Sequence, residues 1–224
     1  MAIFPGSAIP SAVSDYTIDQ SLRFDDGDSS ILGLAFQSTS DAIKQKWTFS
    51  CWVKRGNSGT AQRIFGSDIG SQYAYIGFDT SNRLEFLQYN GGDQNNQITT
   101  QVFRDPGAWY HIVVATDTDQ TTAADRSKIY VNESQITAFD TATYPSEGES
   151  DLSIAYGGAG STRRHCVGDL DNHLGPYDGY IAEVCFVTAQ QLTPSSFGET
   201  DDTTNQWKPI DVSDLTFGTN GFYQ

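Results

Sequence analysis

The chain has 224 residues, with 28 acidic against 13 basic side chains, a formal net charge of −15 and a pI near 4.3. That balance excludes nucleic acid as a partner, because phosphate binding needs a basic face and the only adjacent basic pairs are Lys54-Arg55 and Arg163-Arg164. The length suits a single all-β sandwich with a core that needs no staples, and three widely spaced cysteines (Cys51, Cys166, Cys185) exclude a disulfide framework.

Residues 1–20 read as an extended arm, since Pro5, Gly6 and Pro10 prevent helix and the apolar residues follow no period. They carry no basic n-region, which argues against a secretory signal. No stretch is long enough to span a bilayer, so membrane insertion is not expected. From Leu22 onward the signal is β. Thr48 to Val53 alternates, with Phe49, Cys51 and Val53 on one face. Tyr73–Asp79 and Arg83–Tyr89 form a hairpin around Thr80-Ser-Asn, with Leu84, Phe86 and Gln88 on one face and Glu85, Leu87 and Tyr89 on the other. Residues 89–97 then read as a polar loop. Trp109–Thr116 is apolar on both faces, as a central strand is. Lys128–Val131 starts a second hairpin, and Leu152–Tyr156 and Tyr180–Val187 complete the strands. One segment alone looks helical, a single turn at Leu192–Glu199 with Thr193 as N-cap and Pro194 at its first position. Many short strands and almost no helix define an all-β antiparallel sandwich or jelly roll. Residues 21–200 form that domain, and 201–224 are an acidic extension whose end is expected either to continue in a longer parent or to pair with a partner chain.

The ordered blocks resemble the laminin-G-like, concanavalin-A-like lectin/glucanase jelly rolls. The matching blocks are Ser21–Asp25, Phe49–Val53, Trp109–Val113, Tyr130–Asn132, Asp178–Val184 and Leu192–Pro194. Within that superfamily the chain looks most like the versions in tailed-phage virion proteins, on Trp47–Arg55, Ala108–Ala115, Trp207–Pro209 and Gly218–Tyr223. The resemblance implies a non-enzymatic structural protein of a phage tail, fibre or capsid surface. It would assemble in the host cytoplasm with other virion subunits, as a homo-oligomer. Where the family often has Asp in the late strand this chain has Ala182, so any role of that Asp is absent.

Candidate chemistry falls in the loops. Flat aromatics beside amides and charged groups suit a glycan, whose C–H faces stack and whose hydroxyls need partners. Tyr89, Asn90, Asp93 and Asn95 form one such group, and Tyr156 with Arg163 and Arg164 another. The alternative is that Tyr89 and Tyr156 cap strand ends beside a solvated loop. No cofactor is required by any motif. Calcium is the candidate ion, at Asp25 and Asp28 and at Asp169 and Asp171, and the resemblance favours a calcium near the loop rim. Zinc is disfavoured, because His165, Cys166 and His173 are scattered. Glu147 and Glu149 alternate as glycosidase carboxylates do, but beside Pro145 and Gly148 they read as an acidic turn. Cys166, in a polar loop, is the one cysteine open to reaction. Glu183 shares an apolar face with Ile181, Cys185 and Val187, where it would fix the sheet against a loop.

Overall fold

Strict inward–outward alternation requires two sheets closing on one apolar layer, and the computed structural model has this form. It describes residues 16–28, 30–35, 41–68, 70–150, 154, 164–170 and 175–224. In chain order the elements are β1 (Leu22–Phe24), β2 (Leu32–Ala35), α1 (Asp41–Gln45), β3 (Lys46–Arg55), β4 (Gln62–Asp68), β5 (Gln72–Phe78), β6 (Arg83–Asn90) and β7 (Asp93–Val102). These are followed by β8 (Tyr110–Asp117), α2 (Ala123–Arg126), β9 (Ser127–Val131), β10 (Ser134–Gln135), β11 (Phe139–Thr143), β12 (Arg164–Val167) and β13 (Gly179–Thr188). A 3₁₀ turn at Pro194–Ser196, β14 (Gly198–Thr200), β15 (Trp207–Pro209) and β16 (Phe222–Tyr223) complete the chain.

One sheet runs β1-β13-β3-β8-β9-β10, with β16 also on β13; the other runs β11-β7-β6-β5-β4-β12-β2. Every pairing is antiparallel. The fold is therefore an all-β antiparallel sandwich. Phe49 of β3 stacks on Phe65 of β4 at 4.4 Å, and Trp47 meets Phe86 edge-on at 5.7 Å. Each such fully buried side chain contributes roughly 1.5–3 kcal/mol. As expected, β8 is central, between β3 and β9.

Four expectations need correction. First, residues 93–97 are not loop but the start of β7. Asn95, Gln97 and Thr99 point into the sandwich at 0 % exposure, so this strand buries amides where the others bury apolar groups. Asn95 Nδ2 donates to the Phe86 carbonyl at 3.0 Å, which offsets part of the cost of burial. Second, the helical content is not confined to the turn after Thr193. The short helices α1 and α2 precede β3 and β9, and Thr193 makes no side-chain cap.

Third, Ile181 does not share a face with Cys185 and Val187, so the four residues Ile181, Glu183, Cys185 and Val187 do not form one apolar face. The β13–β3 register slips between Ala182 and Cys185, and Glu183 has φ +53°. This bulge inserts one residue and inverts the alternation. Ile181, Val184 and Phe186 face the core, whereas Cys185 and Val187 face outward.

Fourth, the strand at the end of the given chain pairs within that chain. Val212 and Phe197 are buried with Val113, Ala115, Cys185 and Val187, and Leu215 and Phe217 pack beside them, so the segment after residue 192 covers the outer face of the first sheet. Strand β16 then hydrogen-bonds to β13 of its own chain, with Cys185 opposite Tyr223.

Candidate functional site

The outer face of the second sheet carries a row of tyrosines. Register places Tyr73 of β5 opposite Tyr89 of β6, and Tyr89 opposite Asp93 of β7. Side chains at these positions share one face, because the period along a strand is two. Tyr73 and Tyr89 stack at 5.0 Å with planes 18° apart, and Tyr73 lies nearly parallel to Tyr75 at 6.4 Å. Tyr75 is the buried end of the row, packed with Leu87 and Leu170. The Arg63 guanidinium sits 3.5 Å from its ring centroid and pairs with Glu85 at 3.5 Å. Burial pushes the Tyr75 phenol well above its ordinary value and raises Glu85 as well. Tyr73 and Tyr89 are only half-buried.

Polar groups frame this aromatic platform. Gln72 Nε2 donates to Asn90 Oδ1 at 2.7 Å, holding the strand ends together. Asn96 Nδ2 donates to Asp93 Oδ2 at 2.8 Å, and Asp93 is exposed. Flat rings with amide and carboxylate groups at their edge can meet both surfaces of a sugar, the C–H face and the hydroxyl rim.

Two of the expected glycan residues, Tyr89 and Asp93, therefore come together, whereas Asn90 pairs with Gln72 one step out of phase with the tyrosines. Asn95 does not join them, because it is fully buried on the opposite face of β7. Arg164 lies on β12, three strands from β6 and about 14 Å away at the usual strand spacing. Its side chain runs over Gly33 of β2, where a Cβ would come within 2.9 Å of Arg164 Cδ. Tyr156 and Arg163 lie outside the described residues. Sequence reading missed Tyr73, Tyr75, Gln72 and Asn96. The available signal was alternation in Tyr73-Ala-Tyr, which sets both rings on one face.

Of the expected calcium residues, Asp25, Asp28 and Asp169 lie among the described residues. Asp25 Oδ1 accepts the Gly27 N–H at 2.9 Å and so closes its own turn. Asp28 donates its backbone N–H to the Asp25 carbonyl, and Asp169 is fully buried after β12. No three His, Cys, Asp or Glu side chains converge among the described residues. Asp171 and His173 lie outside those residues.

Cys166 is not in an open loop. It is a β12 residue at 0 % exposure, paired with Gly66 and Gly33. Glu147 sits on an exposed turn, 3.4 Å from Arg126, and Glu149 follows in the same turn. Glu183 instead holds the two ends of the described chain. Tyr16 Oη donates to its carboxylate at 2.9 Å and Tyr223 Oη at 2.8 Å, and the two phenols are 2.9 Å apart.

Two histidines are locked neutral. Trp207 Nε1 can only donate, so His111 Nδ1 accepts it at 3.0 Å, and His111 Nε2–H donates to Ser50 Oγ at 2.8 Å. His165 Nε2–H donates to the Ile154 carbonyl at 2.8 Å. Desolvation lowers both imidazoles from 6.5 to about 3.

With the sandwich and its aromatic face established, sequence comparison agrees. Residues 26–174 match the family model of the Concanavalin A-like lectin/glucanases superfamily, and the chain belongs to that family. No curated protein sequence matches it. Among solved structures, a candidate carbohydrate-binding protein of Bacteroides ovatus superposes with a TM-score of 0.57 at 15 % identity, over 80 % of this chain and 46 % of that one. A tailspike protein of the Escherichia coli O157:H7 bacteriophage CAB120 superposes with a TM-score of 0.51 at 12 % identity, over 79 % of this chain and 23 % of that one. The chain thus spans under half the length of either protein. At these identities the likeness concerns the fold.

Proposed function

We propose that this chain is a non-catalytic, glycan-binding subunit of a tailed-phage virion, placed on the tail, fibre or capsid surface and built into it with other subunits. The observation that carries the reading is the Tyr73–Tyr89 stack, half-exposed on a sheet face and edged by Asp93 and Asn96. A pyranose laid on these rings stacks its C–H groups and hydrogen-bonds its hydroxyls to the edge. Repeated copies on one particle would turn weak single contacts into firm attachment. The tailspike likeness and the virion-type blocks in the sequence support the particle context, and the exposed position of Glu147 supports a role without hydrolysis.

The test is binding of the isolated protein to a printed array of bacterial surface glycans and to host cells. Tyr73→Ala and Tyr89→Ala should each lower affinity at least about tenfold, equivalent to about 1.4 kcal/mol. Glycan binding unchanged in both variants would reject the tyrosine face. Release of reducing sugar from a bound polysaccharide would reject the non-catalytic reading.

A further inference from the structure

The opposite sheet has a second aromatic concavity that the tyrosine face does not use. Of the four tryptophans, Trp47 is in the core, and the other three, Trp52, Trp109 and Trp207, line one cleft of about 410 Å³. That volume lies within the range of small-ligand sites, about 300–1,000 Å³. The cleft forms because register sets Trp52 of β3 beside His111 of β8, and the β15 segment lays Trp207 over the same imidazole. Trp52 and Trp207 flank His111 at 5.0 and 5.9 Å, with ring planes 21° and 26° from it. Two indoles are thereby held rigid by a buried ring. Trp109 has no stacking or hydrogen-bonding partner among the described residues and is 38 % exposed.

The lining also includes residues 16–21, the segment that precedes β1. It presents the hydroxyls of Thr17 and Ser21, the amide of Gln20 and the carboxylate of Asp19. Tyr16 anchors its start on Glu183. The single basic group in the lining, Lys208, is held by Asp201 at 3.1 Å and Glu199 at 3.4 Å. The cleft thus offers apolar faces together with neutral or acidic hydrogen-bonding groups, with its cation already neutralised.

We propose that this cleft is a second carbohydrate site, selective for neutral oligosaccharides and separate from the tyrosine face. Sugar rings stack on Trp109 and the Trp52/Trp207 floor, and their hydroxyls meet Gln20, Ser21 and Asp19. An acidic sugar would set its carboxylate against Asp19 and against a Lys208 that has no charge to spare. A subunit with sites on both sheets can hold two glycan segments at once, which multiplies attachment without new copies.

Tryptophan fluorescence reads this site alone, because the tyrosine face contains no tryptophan. The titration uses the full chain carrying Tyr73→Ala and Tyr89→Ala, so that only the cleft remains. The probes are the neutral hexasaccharides of maltose, cellulose and laminarin type, neutral O-chain oligosaccharides of the host, and sialyllactose and polygalacturonate as acidic counterparts. Saturable quenching or a blue shift is expected with a neutral probe and not with the acidic ones. Adding Trp109→Ala should weaken it at least about tenfold, whereas Trp109→Phe should retain most of it. An unchanged urea midpoint verifies that Trp109→Ala remains folded. No spectral response to any neutral probe, a response unaffected by Trp109→Ala, or preference for the acidic probes would each overturn the proposal. A response in this background that accompanies unimpaired array binding by the tyrosine variants would confirm the cleft while rejecting the first site.

Discussion

Acidification from pH 7 to pH 5 should destabilise this protein through two imidazoles that the fold keeps neutral. In the unfolded chain His111 and His165 have the ordinary value of 6.5, and in the fold both stand at about 3. The cause is desolvation in both cases, and for His111 the hydrogen bonds set an additional barrier. Protonating Nδ1 would point it at the Trp207 N–H, donor against donor. A histidine lowered in the fold contributes its stability fully above pH 6.5. That contribution is lost as pH falls from 6.5 towards 3, because the unfolded state then binds protons that the folded state refuses. Between pH 7 and pH 5 the loss is about 2 kcal/mol per imidazole, or about 4 kcal/mol for the pair. Since pH 5 remains well above the folded values, the figure depends almost wholly on the unfolded one. Carboxylates, which ordinarily titrate near pH 4, contribute little in this window. Against a usual total of about 5–15 kcal/mol, such a loss is large. Urea unfolding at both pH values measures it. His111→Gln and His165→Gln will each cost stability at pH 7, yet each should shrink the pH-dependent drop by about 2 kcal/mol. A wild-type drop below about 1 kcal/mol, or a drop in both variants as large as that of the wild type, would refute the argument.

The remaining predictions concern the same packing. Glu183→Ala removes the acceptor for Tyr16 and Tyr223 at the gap between β1 and β16, and should cost about 1–3 kcal/mol in urea unfolding while leaving binding by the tyrosine face intact. Loss of glycan binding in a variant of unchanged stability would show that Glu183 contacts ligand instead. All three thiols are buried, and burial pushes Cys51 and Cys185 far above their ordinary value. A thiol reagent such as DTNB should therefore react with none of them until urea unfolds the chain, and then with three equivalents. Rapid labelling of native Cys166 would contradict its place in β12.

Much of the scaffold could be read from the residues alone. Alternation in Thr48–Val53 and in Arg83–Tyr89, and the two-faced apolar run after Trp109, are local patterns that burial on one or both faces enforces. They determined the sandwich, its central strand and the hairpin that carries Tyr89. Strand β7 was not legible, because its inward residues are Asn95, Gln97 and Thr99 and no apolar alternation marks them. The phase of β13 was not legible either. A single bulge at Glu183 exchanges the faces of every residue after it, and nothing in Ile-Ala-Glu-Val-Cys announces that.

What belonged to the sequence by itself was the period of each strand and the kinds of side chain that could bind a sugar. Only the tertiary structure decided which of them meet. Tyr73 reaches Tyr89 through cross-strand register, and Arg164 is kept from them by the strands between. Trp52, Trp109 and Trp207, up to 155 positions apart in the chain, become neighbours because β3 pairs with β8 and the C-terminal segment folds back over that sheet. Periodicity is a property of consecutive residues, whereas a binding face is made across strands, by hydrogen-bond ladders and packing that no short stretch of chain contains.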